Sequence, residues 1–580
     1  MESGFKVNKR LLPIGIDSFK ELREKEHYFV DKSELICDVL TRKIFLITRP
    51  RRFGKTLSLD MMRYFFDNGV STCDDFESRI KGEITADNKY LFDGLKISDD
   101  TEAMKHQGKY PVIFISFKEI KAGKWQDCYE ALKSIIRRIY SQNEYVLKYA
   151  YEDEKVTYEK VKAGESTKVE LEQSLKNIME YFYRYFKQKA ILIIDEYDQP
   201  IISGYCNGYY PEVVEVIRNM LSSALKTNDY LEKGILTGVT RVAKESVFSG
   251  LNNLYMDSML LPVNADKFGF TEEEVKEMLK YYGKSENYED VKLWYNGYKL
   301  NNIEIYNPWS VLNYVEDKKS RLISYWVNTG SDDLIRELLK DNIEMVVDNL
   351  NKIIKGEPAE KEINEAVNFN SLDKNQDYIW SLMLQSGYLK AGNAEEIGKD
   401  PQGNGLIKVN LEMPNRELSG SYESMVNSWL SEKVGKSLVE TMLQQLTEGS
   451  IEEFIEIFKR IVIESMSTYD ATGQEAEKYY HIFCLGLFIK LKDKYHVKSE
   501  LETGLGRSDV ILIPKSNKKR GIIIEFKKAK KVQTIEAAAE VAIQQIEEKK
   551  YDVMLKEHEV KEIVKLGIGF KGKDCEILVK

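Results

Sequence analysis

Short, almost uninterrupted apolar runs punctuate the first part of the chain: Ile44-Phe-Leu-Ile-Thr48, Val112-Ile-Phe-Ile-Ser116, Ile191-Leu-Ile-Ile194 and Gly234-Ile-Leu-Thr-Gly238. Runs of this length, rich in β-branched residues and ending in loops or acids, predict strands buried on both faces. Between them, Leu57 to Phe66, Trp125 to Ile139 and Val169 to Phe186 repeat apolar positions at helical spacing. Strand and helix alternate, which predicts a parallel sheet covered by helices. From Thr271 the strand pattern fades. Thr271-Glu-Glu-Glu274 reads as a capping-box helix start, and amphipathic segments run on to about Leu350.

Residues 370 to 430 are mixed. Tyr378 to Gly387 reads as a helix ending at its glycine. The turn-rich Gly398 to Gly405 then precedes a strand at Leu406-Ile-Lys-Val409, so a helix with a two-stranded wing is one picture of the stretch. Helices resume from about Glu423 to Thr468. The C-terminal part returns to α/β, with a helix at Glu475–Leu491, strands at Val510–Ile513 and Gly521–Phe526, and a helix at Ile535–Lys549.

Composition narrows the class. A chain of 580 residues exceeds one compact domain, and its length suggests roughly three or four. With 43% hydrophobic and 31% charged residues it is not disordered. A net charge of −9 excludes a protein that coats DNA with its whole surface, though not a local basic patch. Only 11 prolines fit a helix-rich architecture. The six cysteines form no CxxC pair, which argues against a zinc site or a disulfide framework. The stretch Met1 to Arg10 lacks the apolar core of a signal peptide, and no apolar run nears the ~18 residues of a membrane span. A soluble, cytoplasmic protein without membrane contact is expected.

Thr48-Arg-Pro-Arg-Arg-Phe-Gly-Lys-Thr56 follows an apolar strand and precedes a helix. A phosphate loop needs converging backbone N–H groups, a lysine for the β/γ oxygens and a hydroxyl for Mg²⁺. Gly54-Lys55-Thr56 supplies the second half of G-x-x-x-x-G-K-[ST], while Arg49 stands at the first glycine. The plain alternative is a basic turn before a helix. Ile191-Leu-Ile-Ile-Asp195-Glu196 adds a strand ending in two acids, where Asp195 would hold Mg²⁺ with Thr56 and Glu196 would polarise the attacking water. Such acids also cap helices. Thr240 and Arg241 follow the next strand, where a γ-phosphate-sensing group belongs, or Arg241 is an ordinary surface arginine.

These motifs resemble those of the bacterial predicted AAA-ATPase-like family whose C-terminus carries a PD-(D/E)xK-superfamily nuclease domain. Leu12-Pro-Ile-Gly-Ile16, Tyr28-Phe-Val-Asp-Lys-Ser33, the phosphate loop and Ile194-Asp-Glu-Tyr-Asp-Gln-Pro200 carry the likeness. So do Trp294-Tyr-Asn-Gly-Tyr298, Tyr306-Asn-Pro-Trp-Ser310 and Gln385-Ser-Gly-Tyr-Leu389. Arg49 belongs to that family's own loop form. The resemblance implies an α/β chain with an AAA/STAND-like phosphate-loop NTPase at 1–265 and a helical lid at 266–365. A helical or winged-helix-like linker at 366–465 and a restriction-endonuclease-like α/β domain at 466–580 would follow. ATP would lie against Arg49, Pro50, Arg51, Arg52, Phe53, Gly54, Lys55, Thr56, Thr240 and Arg241. By analogy Tyr28–Asp31 and Asn307–Pro308 flank adenine, against a reading as core and turn. Trp294, Tyr295, Tyr298 and Trp309 read as lid packing.

Gly506-Arg-Ser-Asp509 and Gly521-Ile-Ile-Ile-Glu525-Phe-Lys527 lie on neighbouring predicted strands. Asp509 and Glu525 can together hold Mg²⁺ or Mn²⁺, which polarises a scissile phosphate and generates hydroxide near neutral pH. Glu-x-Lys puts acid and lysine on one strand face, where Lys527 can orient water or stabilise developing charge. The arrangement looks like PD-(D/E)xK with Ser508 at the proline position. In that superfamily a preceding helix often adds an acid (Glu477 here, with Glu475 its rival) and a following helix a glutamine (Gln545). From Lys515 to Lys531 there are eight basic residues and one acid, a run that is either a solvated face or a partner for nucleic-acid phosphates. The run does not distinguish DNA from RNA, and the expected substrate is DNA ahead of RNA. The expectation is an ATP-gated metal-dependent nuclease. The alternatives are a nucleotide-dependent switch or scaffold that binds nucleic acid or protein without cutting and, last, a translocating motor. Self-association stays open.

Overall fold

The computed structural model describes residues 9–73, 75–81, 86–242, 254–260, 263–300, 303–326, 356–364, 377–399, 405–419, 436–465, 494–503, 506–516, 519–530, 532–571 and 574–580. It also describes 248, 335, 338, 346, 349–350, 352–353, 369, 422, 487–488 and 491. Contacts divide the chain into two units, Met1–Asp341 with Lys352–Leu418, and Asn342–Asn351 with Ser419–Lys580. Among the described residues no helix is long and apolar enough to cross a membrane.

The first unit is built on a five-stranded parallel sheet of β1 (Ile44–Thr48), β2 (Val112–Ser116), β3 (Ala190–Asp195), β4 (Leu231–Gly238) and β5 (Leu254–Asp257), ordered β2-β3-β4-β1-β5. The strands β1 and β3 are buried along their whole length, as their unbroken apolar runs require. Helix Trp125–Gln142 turns Cys128, Leu132, Ile136 and Ile139 inward, and helix Lys168–Phe186 begins at a Thr167/Glu170 capping box. Because all five strands run the same way, the phosphate loop after β1, Asp195 at the end of β3 and Gly238 at the end of β4 share one edge of the sheet.

Helix Glu272–Tyr282 starts at the expected Thr271/Glu274 capping box. Strand structure nevertheless continues beyond Thr271. The strands β6 (Phe270–Thr271), β7 (Tyr298–Leu300) and β8 (Ile303–Tyr306) form an antiparallel sheet whose members are too short to show a period of two in sequence. Three further strands, β9 (Ala359–Asn364), β10 (Lys390–Lys399) and β11 (Gly405–Glu412), make the anticipated hairpin and add a strand to it. Helix Asp377–Gln385 precedes the hairpin, with Gly387 at φ +83° beyond its end.

In the second unit, helices Lys436–Glu448 and Ile451–Ser465 accompany a mixed sheet of β12 (Tyr495–Thr503), β13 (Gly506–Pro514), β14 (Gly521–Lys528), β15 (Ile563–Lys571) and β16 (Asp574–Val579), in that order. Only β14 and β15 are parallel, and helix Ile535–Glu548 lies in the connection between them. The expected helix at Glu475–Leu491 lies almost entirely outside the described residues.

Gly297 shows how tightly the first unit closes. Its φ is +124°, and a Cβ there would stand 1.8 Å from the Pro414 carbonyl oxygen. Gly297→Ala is expected to cost roughly 2 kcal/mol or more, through both backbone strain and collision. Gly208, at φ +76° with open space around it, should cost about 1 kcal/mol on the same change. Thermal unfolding of the two variants reads the difference, and equal midpoints would contradict the packing described.

Candidate functional site

Between β1 and helix Lys55–Phe66 the backbone turns through left-handed conformations at Arg52 (φ +67°) and Gly54 (φ +82°). Lys55 is the first helical residue, and its ammonium donates to the carbonyls of Arg49 and Pro50, each at 2.9 Å. The loop therefore closes around its own lysine. Burial pulls the Lys55 pKa down, while the charges of Glu196, Asp195 and Asp198 oppose that shift.

Asp195 is fully buried and accepts from two hydroxyls, Thr56 at 2.8 Å and Thr237 of β4 at 2.7 Å. The strand β4 lies between β3 and β1, so Thr237 reaches Asp195 from the strand in between. Glu196 adopts φ +53°, a left-handed conformation uncommon for glutamate, and lines the cavity. Burial raises its pKa, and the Lys55 charge opposes this. Asp198 accepts from the backbone N–H groups of Val239 and Thr240 and from the Thr240 hydroxyl at 2.7 to 3.0 Å. Tyr197 donates to the Thr240 carbonyl. Asp195, Glu196, Tyr197 and Asp198 thus divide their work: the first meets the phosphate loop, the second faces the cavity, and the last two brace the loop after β4.

The cavity has a volume of about 330 Å³. Phosphate-loop residues Arg51 to Ser58 line one part of it, and Tyr28, Phe29, Val30, Phe270, Pro308 and Trp309 give it an apolar part. Both stretches proposed to flank adenine thus reach the cavity, with Asn307 capping the helix that Pro308 begins. Trp309, read from sequence as packing, also lines it, and the Arg52 guanidinium lies 4.2 Å from the Trp309 ring centroid. Lys118 and Lys121, to which no motif pointed, join the lining, as does Gln199 of the Ile194–Pro200 motif.

Other expected nucleotide contacts sit differently. The Arg49 side chain is fully buried and pairs with Asp257 of β5 at 2.7 Å, donating also to the Thr48, Asp257 and Asn264 carbonyls. It enters the site only through its own carbonyl, which receives Lys55. The Pro50 ring packs beside Gly387. Thr240 is buried on Asp198, and the Arg241 N–H donates to the Gln385 amide oxygen at 2.9 Å.

In the second unit, antiparallel pairing of Val510 with Ile524 brings Asp509 beside Glu525. The Asp509 carboxylate accepts from the Phe526 N–H at 2.8 Å, and Glu525 accepts from the Asp509 N–H at 3.3 Å. Glu525 is 1% exposed and receives Lys527 at 3.1 Å and the Gln545 amide. Gln545 also reaches the hydroxyl of buried Tyr551 at 3.2 Å, a residue the sequence reading passed over. Burial, with the neighbouring Asp509 charge, pushes Glu525 up to about 7 against the pull of Lys527. Two adjacent carboxylates, one of them raised by the other's charge, are oxygen donors suited to a hard divalent cation, which relieves their repulsion. Among the described residues no cluster of three or more His, Cys, Asp or Glu side chains forms a fuller set, and Glu477 lies outside the described residues.

The basic run is partly committed within its own unit. Lys519 pairs with Glu448 at 2.8 Å and Arg520 with Glu562 at 2.9 Å.

Comparison with known proteins agrees with this division of chemistry. Residues 13–248 match the family model described as predicted AAA-ATPase, and residues 475–580 match that of the PD-(D/E)XK nuclease superfamily. The chain joins a predicted AAA-ATPase domain to a PD-(D/E)XK nuclease-superfamily domain. A relative from Azotobacter chroococcum mcd 1, named "Uncharacterized protein in vnfD 5'region", is 26% identical over 507 residues, spanning 84% of this chain and 85% of its own.

The Arg49–Asp257 pair yields a test. Asp257→Ala leaves a buried guanidinium without its counter-charge and should cost about 3 kcal/mol or more. Chemical denaturation of the first unit's transition reads this. A change below about 1 kcal/mol, the range of surface ion pairs, would show that the pair does not hold the loop.

Proposed function

We propose that the chain is an ATP-controlled, metal-dependent nuclease of the cytoplasm, acting on nucleic acid, DNA ahead of RNA. What supports the reading is that two separate sets of phosphate-handling groups lie in one chain, Lys55, Thr56, Asp195 and Glu196 in one unit and Asp509, Glu525 and Lys527 in the other.

In the first unit the apolar part of the cavity takes the adenine. The backbone N–H groups at the start of helix Lys55–Phe66 face the phosphates, where the helix dipole favours negative charge. Lys55 exchanges its two carbonyl acceptors for phosphate oxygens. Thr56 and Asp195 would hold Mg²⁺, which would neutralise phosphate charge. Glu196, held near Lys55 with its pKa raised, accepts a proton from the attacking water.

In the second unit Asp509 and Glu525 would hold a divalent cation, which would polarise the scissile phosphate and activate water. Lys527 steadies charge on the scissile phosphate, and Gln545 fixes the Glu525 carboxylate. The basic run Lys515–Lys531 meets the nucleic-acid backbone.

A second reading, a nucleotide switch whose C-terminal unit binds nucleic acid or protein without cutting, would be favoured by broken metal ligands, and the intact Asp509, Glu525 and Lys527 speak against it.

Cleavage of supercoiled plasmid, linear DNA and structured RNA with Mg²⁺ or Mn²⁺, with and without ATP, separates the two readings. Asp509→Ala should lower cleavage at least about a hundredfold while ATP binding persists, and Lys55→Ala should abolish the response to ATP while leaving the metal site intact. Cleavage unaltered by Asp509→Ala would overturn the site assignment. Absence of cleavage in every state, with ATP still bound, would favour the switch.

A further inference from the structure

The back of the phosphate loop is held by residues far away in sequence. The Trp326 indole N–H donates to the Arg51 carbonyl at 3.1 Å. The Trp326 backbone N–H donates to one Glu417 carboxylate oxygen at 2.6 Å, and the Ser310 hydroxyl donates to the other at 2.7 Å. Ser324 donates to the Glu417 carbonyl at 3.0 Å. Glu417 is 1% exposed and Trp326 5% exposed, so these bonds form in a low-dielectric interior where each is strengthened and its loss is costly.

The same carboxylate reaches the cavity by a second route. Ser310 lies in the first turn of helix Pro308–Glu316, next to Trp309, which lines the cavity under Arg52. The Trp309 indole donates to the Tyr325 carbonyl at 3.1 Å, one residue before Trp326. Two tryptophans, one behind the loop and one in front of it, are thus tied to a single buried acid. That acid sits one residue before Leu418, where the first unit ends along the chain.

We propose that Glu417 and Trp326 are positioning residues of the nucleotide site, and that they couple nucleotide binding at the phosphate loop to the segment through which the chain leaves the first unit. This rests on the ATP reading above and adds the path by which the nucleotide is sensed. The carboxylate fixes the Trp326 backbone and thereby aims its indole at Arg51. Nucleotide that draws the loop N–H groups and Lys55 toward its phosphates pulls on the Arg51 carbonyl. The indole N–H transmits that pull to Glu417.

Trp326→Phe tests this in the full chain, because it keeps an aromatic ring and the backbone bond to Glu417 while removing the indole N–H and the five-membered ring that carries it. It should weaken ATP binding, measured calorimetrically, by about 5- to 10-fold, at a temperature well below the variant's own nucleotide-free unfolding midpoint. Glu417→Gln should act in the same direction, and the double variant should be no weaker than the worse single one, since both lie on one path. Hydrogen exchange supplies the readout that a purely structural role would not move. ATP should slow exchange in the peptide 413–419 of the wild type and leave it unaltered in Trp326→Phe. Binding by Trp326→Phe equal to wild type, or ATP protection of 413–419 that survives the change, overturns the inference while the ATP reading stands. Failure of the wild type to bind ATP, with Lys55→Ala indistinguishable from it, overturns both.

Discussion

A carboxylate removed from water must be given donors or a counter-charge, and this constraint organises both candidate sites. Asp195 draws Thr56 and Thr237 to itself from two other elements, and so sets the start of helix Lys55–Phe66 against β3 and β4. Glu525 draws Lys527 along its own strand and Gln545 from helix Ile535–Glu548, and so sets the helix against the sheet. In each unit the polar contacts that satisfy the acid are also those that place the remaining reactive groups.

The kind of donor distinguishes the acids. Asp257 faces the Arg49 guanidinium at 2.7 Å with both side chains fully buried, so its charge is neutralised and its role is structural. Asp195 faces hydroxyls, which satisfy its lone pairs without cancelling its charge. That leaves it able to attract a cation. Glu525 is intermediate, since a lysine and an amide hold it while Asp509 pushes its pKa up. Glu417, pushed up to about 7 by burial alone against its hydrogen bonds, belongs with the structural acids by its donors and with the functional ones by its reach to Arg51.

Much of this was legible from sequence because it is local. The strands β1 and β2 coincide with their apolar runs, and the Thr271/Glu274 cap is written in four residues. The phosphate loop and the Asp…Glu-x-Lys pair are likewise short words whose neighbours fix their geometry. What escaped is either too short to have a period or held from a distance. Strands β6 to β8 have two to four residues each. The strand β9, Ala359-Glu-Lys-Glu-Ile-Asn364, is mostly charged and becomes a strand only by pairing with β11. Arg49 looked like a phosphate ligand because its true partner, Asp257, is 208 positions away, and the Glu417–Ser310 bond spans 107. No local pattern announces such pairs, which follow from how the sheet and its lid close.

The central claim, that the buried acids Asp195 and Glu525 each take part in holding a cation, is tested most directly by Mn²⁺ binding to the full chain, followed by electron paramagnetic resonance with and without a non-hydrolysable ATP analogue. The account predicts two classes of site. One requires the nucleotide and is lost in Thr56→Val, and the other is independent of nucleotide and lost in Asp509→Ala. A single class, or binding that neither substitution alters, would contradict it.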